Sequence, residues 1–574
     1  MNKSSFCLVL ILLLAACSTT ESDRISVDTL YVNGEIYNVG AATSNIGAFA
    51  VTGTDIVFVG SAAEANEMLD AQNTIDLAGR FVMPGIVDSH AHPGLVALLG
   101  EIEETGEGLP IDSKENFFAA LRDYAVLLKD EPFIVLGSWD VAMFLPEGPN
   151  KSDLDAIFPD KPAVLTDNSG HSMWMNSAAF ALFGVDRDTP DLSPGVSVLA
   201  RDESGEPTGW VKEFVLMRQI GATMLRSASE IKERMGFYLS YLSDHGVTTL
   251  WDAGNFDNDD AIYSVLAEMD AEESLPVRYE GSYHIFDPAQ IETAAGELLK
   301  LRKAYGGERL KFKSIKVHYD GVVEIGTAGM LKPFVVDPES RGGFLFSSER
   351  LAEFLLELDD HDIDLHLHSV GDAATREILD AAQIVRDQGK ELRIELTISH
   401  LEHVSEKDVP RFAELGVHAN FTPHWWGGTV FGAAGEMYVG AEEIHRSQAG
   451  GDLYNHGANV TLSSDVTTMS NHRRANPFVG IQMAKTRQEY TIGFEAEKFG
   501  PSSSRLTLDQ AIAAYTINGA RQLGQEKTIG SIEIGKRADF LVLPESLLVT
   551  DTYSIHRVKP DAVFLDGQLV AGSI

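Results

Sequence analysis

The chain has 574 residues, 44% of them hydrophobic, which is ample to bury a large core. Its 45 Lys plus Arg stand against 85 Asp plus Glu, a formal net charge of −40, which argues against nucleic acid as a partner because phosphates need compensating cations. The same charge disfavours adsorption to an anionic membrane surface, and with only Cys7 and Cys17 present the body of the chain has no disulfide to staple it.

At the N-terminus, Asn2 and Lys3 lead into an apolar run from Phe6 to Ala16, which ends in Leu14-Ala15-Ala16-Cys17-Ser18. A basic start, a short apolar run and small residues form an export signal too short to span a bilayer. The terminal cysteine resembles the bacterial lipoprotein pattern. That resemblance implies a signal peptide over 1–16, acylation of Cys17 and a tether over 17–24. Ser18, with no Asp behind the cysteine, points to the outer membrane, so the expected location is the cell envelope, lipid-anchored and facing the periplasm. An ordinary cleaved signal with an incidental Cys is the alternative.

From Ile25 to Met83 the pattern is short strands and turns, including Thr29 to Gly34 and Asp55 to Gly60, and the far end repeats it in Gly535 to Leu543 and Asp561 to Gly567. Neither end has enough alternating positions for its own sandwich, so 25–83 and 525–574 are expected to pair into one composite β-sandwich domain. Between them, over 84–524, apolar strands alternate with helical stretches such as Leu351 to Asp359, Ala373 to Asp387 and Leu508 to Ala514. That alternation predicts a parallel sheet, and the length suits an α/β (β/α)8 TIM-like barrel. Strand ends fall near His90, Trp251, Tyr283, Lys316, His368, His400, Phe421 and Asp465. The stretch over about 94–244 is too long for one crossover and predicts an insertion after barrel strand 1, with strands at Phe133 to Trp139 and Ala163 to Thr166.

The residues that carry chemistry sit at these strand ends. His90 and His92 close the apolar run that starts at Val82; alternation on a strand puts both imidazoles on one face, where they suit zinc and related ions, although a hydrogen-bonded scaffold pair would look the same. Lys316 lies inside an apolar strand, a costly place for an unpaired charge. It is read either as an ion pair with Asp320 or another acid, or as a carbamate formed with carbon dioxide. His368 ends another strand, His400 and His403 follow a third, and Asp465 ends the last.

In order along the chain, Met83-Pro84-Gly85 before His90-Ala91-His92, Gly170-His171-Ser172 with Trp174 and Asn176, Lys316 with Asp320-Gly321, His368 before Val370-Gly371-Asp372, Glu402-His403, Ser464-Asp465 and Gly535-Lys536-Arg537-Ala538-Asp539 carry a family resemblance. The chain resembles the amidohydrolase superfamily, in the family 3 branch of YtcJ-like and N-substituted formamide deformylase-like proteins, over about residues 27–571. The resemblance implies that His90 and His92 bind the more buried metal, that Lys316 is a bridging carboxylated lysine, and that His368 and His403 hold a second metal. It also implies that Asp465 touches metal and handles the proton of the attacking water. The implied cofactor is a divalent metal, zinc before others, as one or two ions. In the sixth strand the Glu-His pairing favours His403, while strand-end geometry nominates His400.

The chemistry implied is hydrolysis of a non-peptide C–N, amide-like bond in a small molecule. Hydrolysis of a cyclic imide, hydantoin or N-acyl amino acid is the alternative within enzymes, and an inactive lipid-anchored binding protein the alternative outside them. His171, Trp174, Asn176, Asp320, His400, His424 and Trp425 are the expected substrate-pocket residues, with His472 a surface histidine near the eighth strand. The expected partners are this small molecule and, through lipid, a membrane; homo-oligomerisation stays open.

Overall fold

A computed structural model of the protein describes residues 24–39, 47–99, 109–110, 112–224, 226–428 and 432–574. The proposed export signal and Cys17 lie outside the described residues.

Eight parallel strands form the central sheet: β1 (Ile86–Ala91), β2 (Val247–Asp252), β3 (Arg278–Ile285), β4 (Leu310–His318), β5 (Asp364–Ser369), β6 (Leu396–His400), β7 (His418–Phe421) and β8 (Val460–Leu462). Each pairs with its neighbour in chain order. The seam between β8 and β1 is drawn together by the Asp465 N–H on the His90 carbonyl (2.9 Å), the Ser464 N–H on the Asp88 carboxylate (2.9 Å) and the Ser89 hydroxyl on the Leu462 carbonyl (3.1 Å). This is the α/β barrel that the alternation predicts, and its strand ends fall where the sequence places them. The strands are apolar runs because both faces are buried. Amphipathic helices cover the outside: Ser348–Asp360 is capped by the Ser347 side chain and buries Leu351, Phe354, Leu355 and Leu358, a helical spacing.

The inserted chain is shorter than expected. Ser227 and Glu230 form a capping box that starts a helix at Ala228–Asp244, which buries Ile231, Met235, Tyr238, Leu239 and Leu242. It packs on the helix Pro93–Leu99 and on β2, so the segment before residue 244 is the barrel's own crossover helix, with the insertion ending ahead of it. Within the insertion a five-stranded sheet runs in the order Val198–Arg201, Pro207–Lys212, Ser172–Met175, Ala163–Asp167, Ile134–Trp139. Trp139, Trp174 and Trp210 from this sheet share one apolar cluster with Val322, Val323 and Ile325 after β4 and Val370 after β5. That contact fixes the insertion over the carboxyl ends of the barrel strands.

Both ends of the chain meet in a pair of sheets. Phe81–Pro84 pairs with Phe540–Leu543 antiparallel, and that sheet also holds Glu35–Ile36, Ala562–Leu565 and Gln568–Gly572. The facing sheet comprises Asp55–Gly60, Ala48–Thr52, Ile25–Val32 and Leu69–Asp76. Between them Tyr31 stacks on Phe49 at 4.7 Å and Phe540 on Phe564 at 4.4 Å, so side chains from both termini build one core. Arg278 of β3, paired with Asp539 and Asp566, ties this core to the barrel.

Candidate active site

Asp465 sits where three strand ends converge. Its carboxylate lies 3.4 Å from His90 Nε2, 3.3 Å from His92 Nε2 and 3.6 Å from His400 Nδ1. Alternation explains His90 and His92, which leave β1 on one face. Asp465 and His400 arrive differently: both are non-glycine residues in the left-handed region, with φ of 48° and 75°. Such backbone is uncommon and concentrates at functional sites.

The far ring nitrogens are engaged elsewhere. His90 Nδ1 is 3.0 Å from His366 Nε2, and His92 Nδ1 is 3.4 Å from the Gly254 carbonyl. His368 Nδ1 is 3.1 Å from Asp320, whose two oxygens also accept the backbone N–H groups of Gly329, Val370 and Gly371. A ring held at one nitrogen and free at the other is how a metal-binding histidine is oriented. His400 Nδ1 and His318 Nε2 are buried with no hydrogen-bond partner among the described residues, so each leaves a ring nitrogen open to a ligand. His90, His400 and Asp465 offer ligand atoms within 4.8 Å of one another, and so do His171, His318 and His368. The donor set fits a divalent cation bound by imidazole and carboxylate.

The electrostatics keep these donors in their ligand forms. Burial holds His90, His318 and His368 well below the ordinary imidazole range and takes His400 down to about 3 against the opposing pull of Asp465. Burial alone would raise Asp465, but the His92 hydrogen bond and the electrostatic effect of the His400, His92 and Lys316 groups beside it lower it overall. Lys316, 3.4 Å from His90 Nε2 and 3.5 Å from Ser399 Oγ, is pushed down to about 7 by burial, partly offset by Asp465.

Beside this cluster lies a cavity of about 270 Å³, close to the lower end of the roughly 300–1,000 Å³ common for small-molecule sites. Its apolar wall includes Leu95, Met173, Phe214, Met217, Phe256 and Trp425, and its polar lining includes His92, His171, Glu213, Lys316, His368, His400 and Asp465. Trp425 lies against His400, ring centroids 5.7 Å apart. His171, from the insertion, is 2.8 Å from Glu213, which takes φ of 56°. Burial works against the charged form of His171, but Glu213 outweighs it and raises the imidazole to about 9.

Several sequence expectations are corrected. His403 stands outside both ligand clusters: its backbone N–H donates to the Val370 carbonyl, its Nε2 is buried without a partner among the described residues, and burial lowers its imidazole against the opposing pull of Glu443. His400 is the sixth-strand residue that reaches Asp465, so the Glu-His match is three residues out of register. Asp320 is a buried orienting group behind His368 and is absent from the wall of this cavity, and it is His368 that it meets, not Lys316. Alternation sends Met173 to the cavity and Trp174 to the insertion core, where its indole donates to the Asn150 carbonyl. Asn176 is spent on the backbone of 158–179 as a helix cap. His424 is buried but absent from the cavity wall, and His472 Nδ1 is turned to the Met469 carbonyl. Sequence reasoning missed His318, Glu213 and Glu324; of these His318, two residues after Lys316, was visible as the same i, i+2 spacing that singled out His90 and His92.

Comparison with known proteins agrees with this geometry. An amidohydrolase family model matches residues 73–571. The chain is 25% identical to the Bacillus subtilis (strain 168) protein YtcJ over 515 residues, covering 86% of this chain and 90% of that one. It is also 25% identical to N-substituted formamide deformylase of Arthrobacter pascens over 590 residues, covering 94% and 98%. Among solved structures, an uncharacterised metal-dependent hydrolase from Pyrococcus horikoshii OT3 superposes with a TM-score of 0.65 at 22% identity, covering 91% of this chain and 99% of that one. With a barrel whose strand ends gather imidazoles around one aspartate, and a family match across most of its length, the chain belongs to the amidohydrolase family, metal-dependent hydrolases of carbon–nitrogen bonds other than peptide bonds.

Proposed function

We propose that the protein is a zinc-dependent hydrolase of a small amide, with Asp465 as the proton carrier and His90, His92 and His400 as the imidazoles around the ion. The observation that carries this reading is the convergence of those three rings on one anionic carboxylate. A divalent ion bound there supplies Lewis acidity toward the carbonyl oxygen and lowers the pKa of water from about 16 toward 7. Asp465 accepts the proton of the attacking water and delivers it to the departing nitrogen, which needs hydrogen-bond reach to both. His171, held as a cation by Glu213, presents a donor to the oxyanion of the tetrahedral intermediate from the opposite wall. A second ion at His171, His318 and His368 is the alternative arrangement, favoured by the unpartnered His318 Nε2.

The reading extends to Lys316. A buried amine brought down to about 7 is substantially neutral, so its nitrogen can attack carbon dioxide and release a proton to leave an N-carboxylate beside His90. The relative named for N-substituted formamide deformylation suggests N-formyl and N-acyl amines as the first substrates to test. Cys17 is proposed to carry the lipid that holds the protein on the outer membrane; loss of fatty-acid labelling in Cys17→Ser tests that. For activity, metal-loaded protein is screened against N-formyl and N-acyl amines, cyclic imides and N-acyl amino acids with Asp465→Asn as the paired control. Activity lost in that variant supports the role of Asp465, equal rates reject it, and hydrolysis of none of the compounds favours the binding-protein alternative.

A further inference from the structure

Apart from Asp465, four carboxylates line the cavity: Asp167, Glu213, Glu324 and Glu402. Two are fully employed. Asp167 accepts the Ser169 hydroxyl (2.7 Å) and the Ser172 N–H (3.0 Å), and Glu213 takes His171 (2.8 Å) and the Thr327 hydroxyl (2.7 Å). The other two are less well served, Glu324 having only a backbone N–H of its own residue. Glu324, in the turn Val323–Ile325 after β4, is 2% exposed and its Oε1 meets no donor among the described residues. Glu402, just beyond the turned backbone of His400 and Leu401, is 7% exposed, and no side-chain hydrogen bond or ion pair reaches its carboxylate among the described residues.

A buried carboxylate oxygen without a donor is costly, and both acids face the same cavity. Among the described residues no ion pair is made to either carboxylate, and the histidine that acts on Glu324, His171, is hydrogen-bonded to Glu213. A group that enters the cavity can supply both positive charge and N–H donors. An ammonium or guanidinium placed there would make charge-assisted hydrogen bonds to Glu402 and to the unpartnered Oε1 of Glu324.

We propose that Glu324 and Glu402 form the specificity pocket for a cationic amine on the substrate, so that the preferred compounds are amides carrying a basic group at the end opposite the scissile bond. The apolar wall of Phe214, Met217 and Phe256 suits the alkyl chain joining the two ends. This rests on the hydrolase reading for the position of the scissile bond but not for the recognition of the charge.

The test compares mono-N-acetylated diaminoalkanes with N-acetyl-n-alkylamines of matched length, which differ only in a terminal ammonium. With metal-loaded full-length protein, calorimetry measures binding and kcat/KM is taken where turnover occurs. The expected result is at least a tenfold preference for the ammonium compounds at one chain length, falling to about onefold in Glu324→Gln/Glu402→Gln. Equal or better binding of the neutral series by the wild-type protein overturns the proposal without any variant, as does binding of neither series. A preference that survives in folded Glu324→Gln and Glu402→Gln single variants also overturns it. Selective binding of the ammonium series without hydrolysis would sustain the pocket and count against the hydrolase reading; hydrolysis of both series at equal rates does the reverse.

Discussion

Replacing the two sixth-strand histidines separately should give opposite results. His400 Nδ1 lies 3.6 Å from Asp465 and has no other partner among the described residues, so His400→Ala removes a donor aimed at the ion. Loss of a partner one step further out typically costs 10–100-fold in metal affinity, so removing a direct donor is expected to cost about 100-fold or more, about 2.8 kcal/mol at 1.4 kcal/mol per decade. His403→Ala deletes a buried ring nitrogen that is unsatisfied among the described residues. Relief of that penalty, roughly 1–3 kcal/mol, is set against a cavity term of similar size. The net change in stability should stay within about 2 kcal/mol, with metal retained. Metal content is measured by elemental analysis after dialysis against a graded chelator series, alongside thermal unfolding with and without added zinc. Zinc should raise the midpoints of the wild type and of His403→Ala alike, and of His400→Ala much less, because a ligand stabilises by RT ln(1 + [L]/Kd). Metal lost from His403→Ala and kept in His400→Ala would refute the reasoning and restore the register read from Glu402-His403.

Asp320→Asn should weaken metal binding about 10–100-fold by freeing His368 Nδ1, and it should also destabilise the fold, because one amide oxygen cannot serve all the backbone donors now shared by two; chelator titration and chemical denaturation read the two effects. In the metal-free protein, the folded-state pKa of His171 is raised from 6.5 to about 9. Its ion pair therefore contributes stability that is fully present below about pH 6.5 and is lost as pH rises through about 9; Glu213→Gln should abolish that slope, and an unchanged pH–stability curve would contradict the pairing. Asn176→Ala should cost about 2–3 kcal/mol through loss of the cap and of its carbonyl contacts, with kcat per folded molecule unchanged; a fall in kcat at full folding would return Asn176 to the pocket.

The sequence by itself determined the barrel and the residues that alternation can aim. Apolar runs separated by helical stretches locate all eight strands, because a parallel strand buried on both faces has a composition that no exposed element shares. His90 with His92, and His368, follow from period-two geometry on regular strands, and Asp465 from the position of the last strand's end. Only the tertiary structure decided what lies off that regularity. Ser399 points into the barrel toward Lys316, so plain alternation would turn His400 away; the left-handed backbone at His400 and Leu401 swings the ring back to Asp465, and no local pattern announces that turn. Trp174 and Asn176 belong to a segment that reaches the cavity through Gly170, His171 and Met173, while Trp174 and Asn176 themselves face the insertion's own core and backbone. Glu213, Glu324 and Glu402 arrive from the insertion and from the turns after β4 and β6, and their meeting at one cavity depends on how the inserted sheet docks on the barrel. Period and composition act over a few residues, whereas a pocket is made by segments hundreds of residues apart, and only packing brings those together.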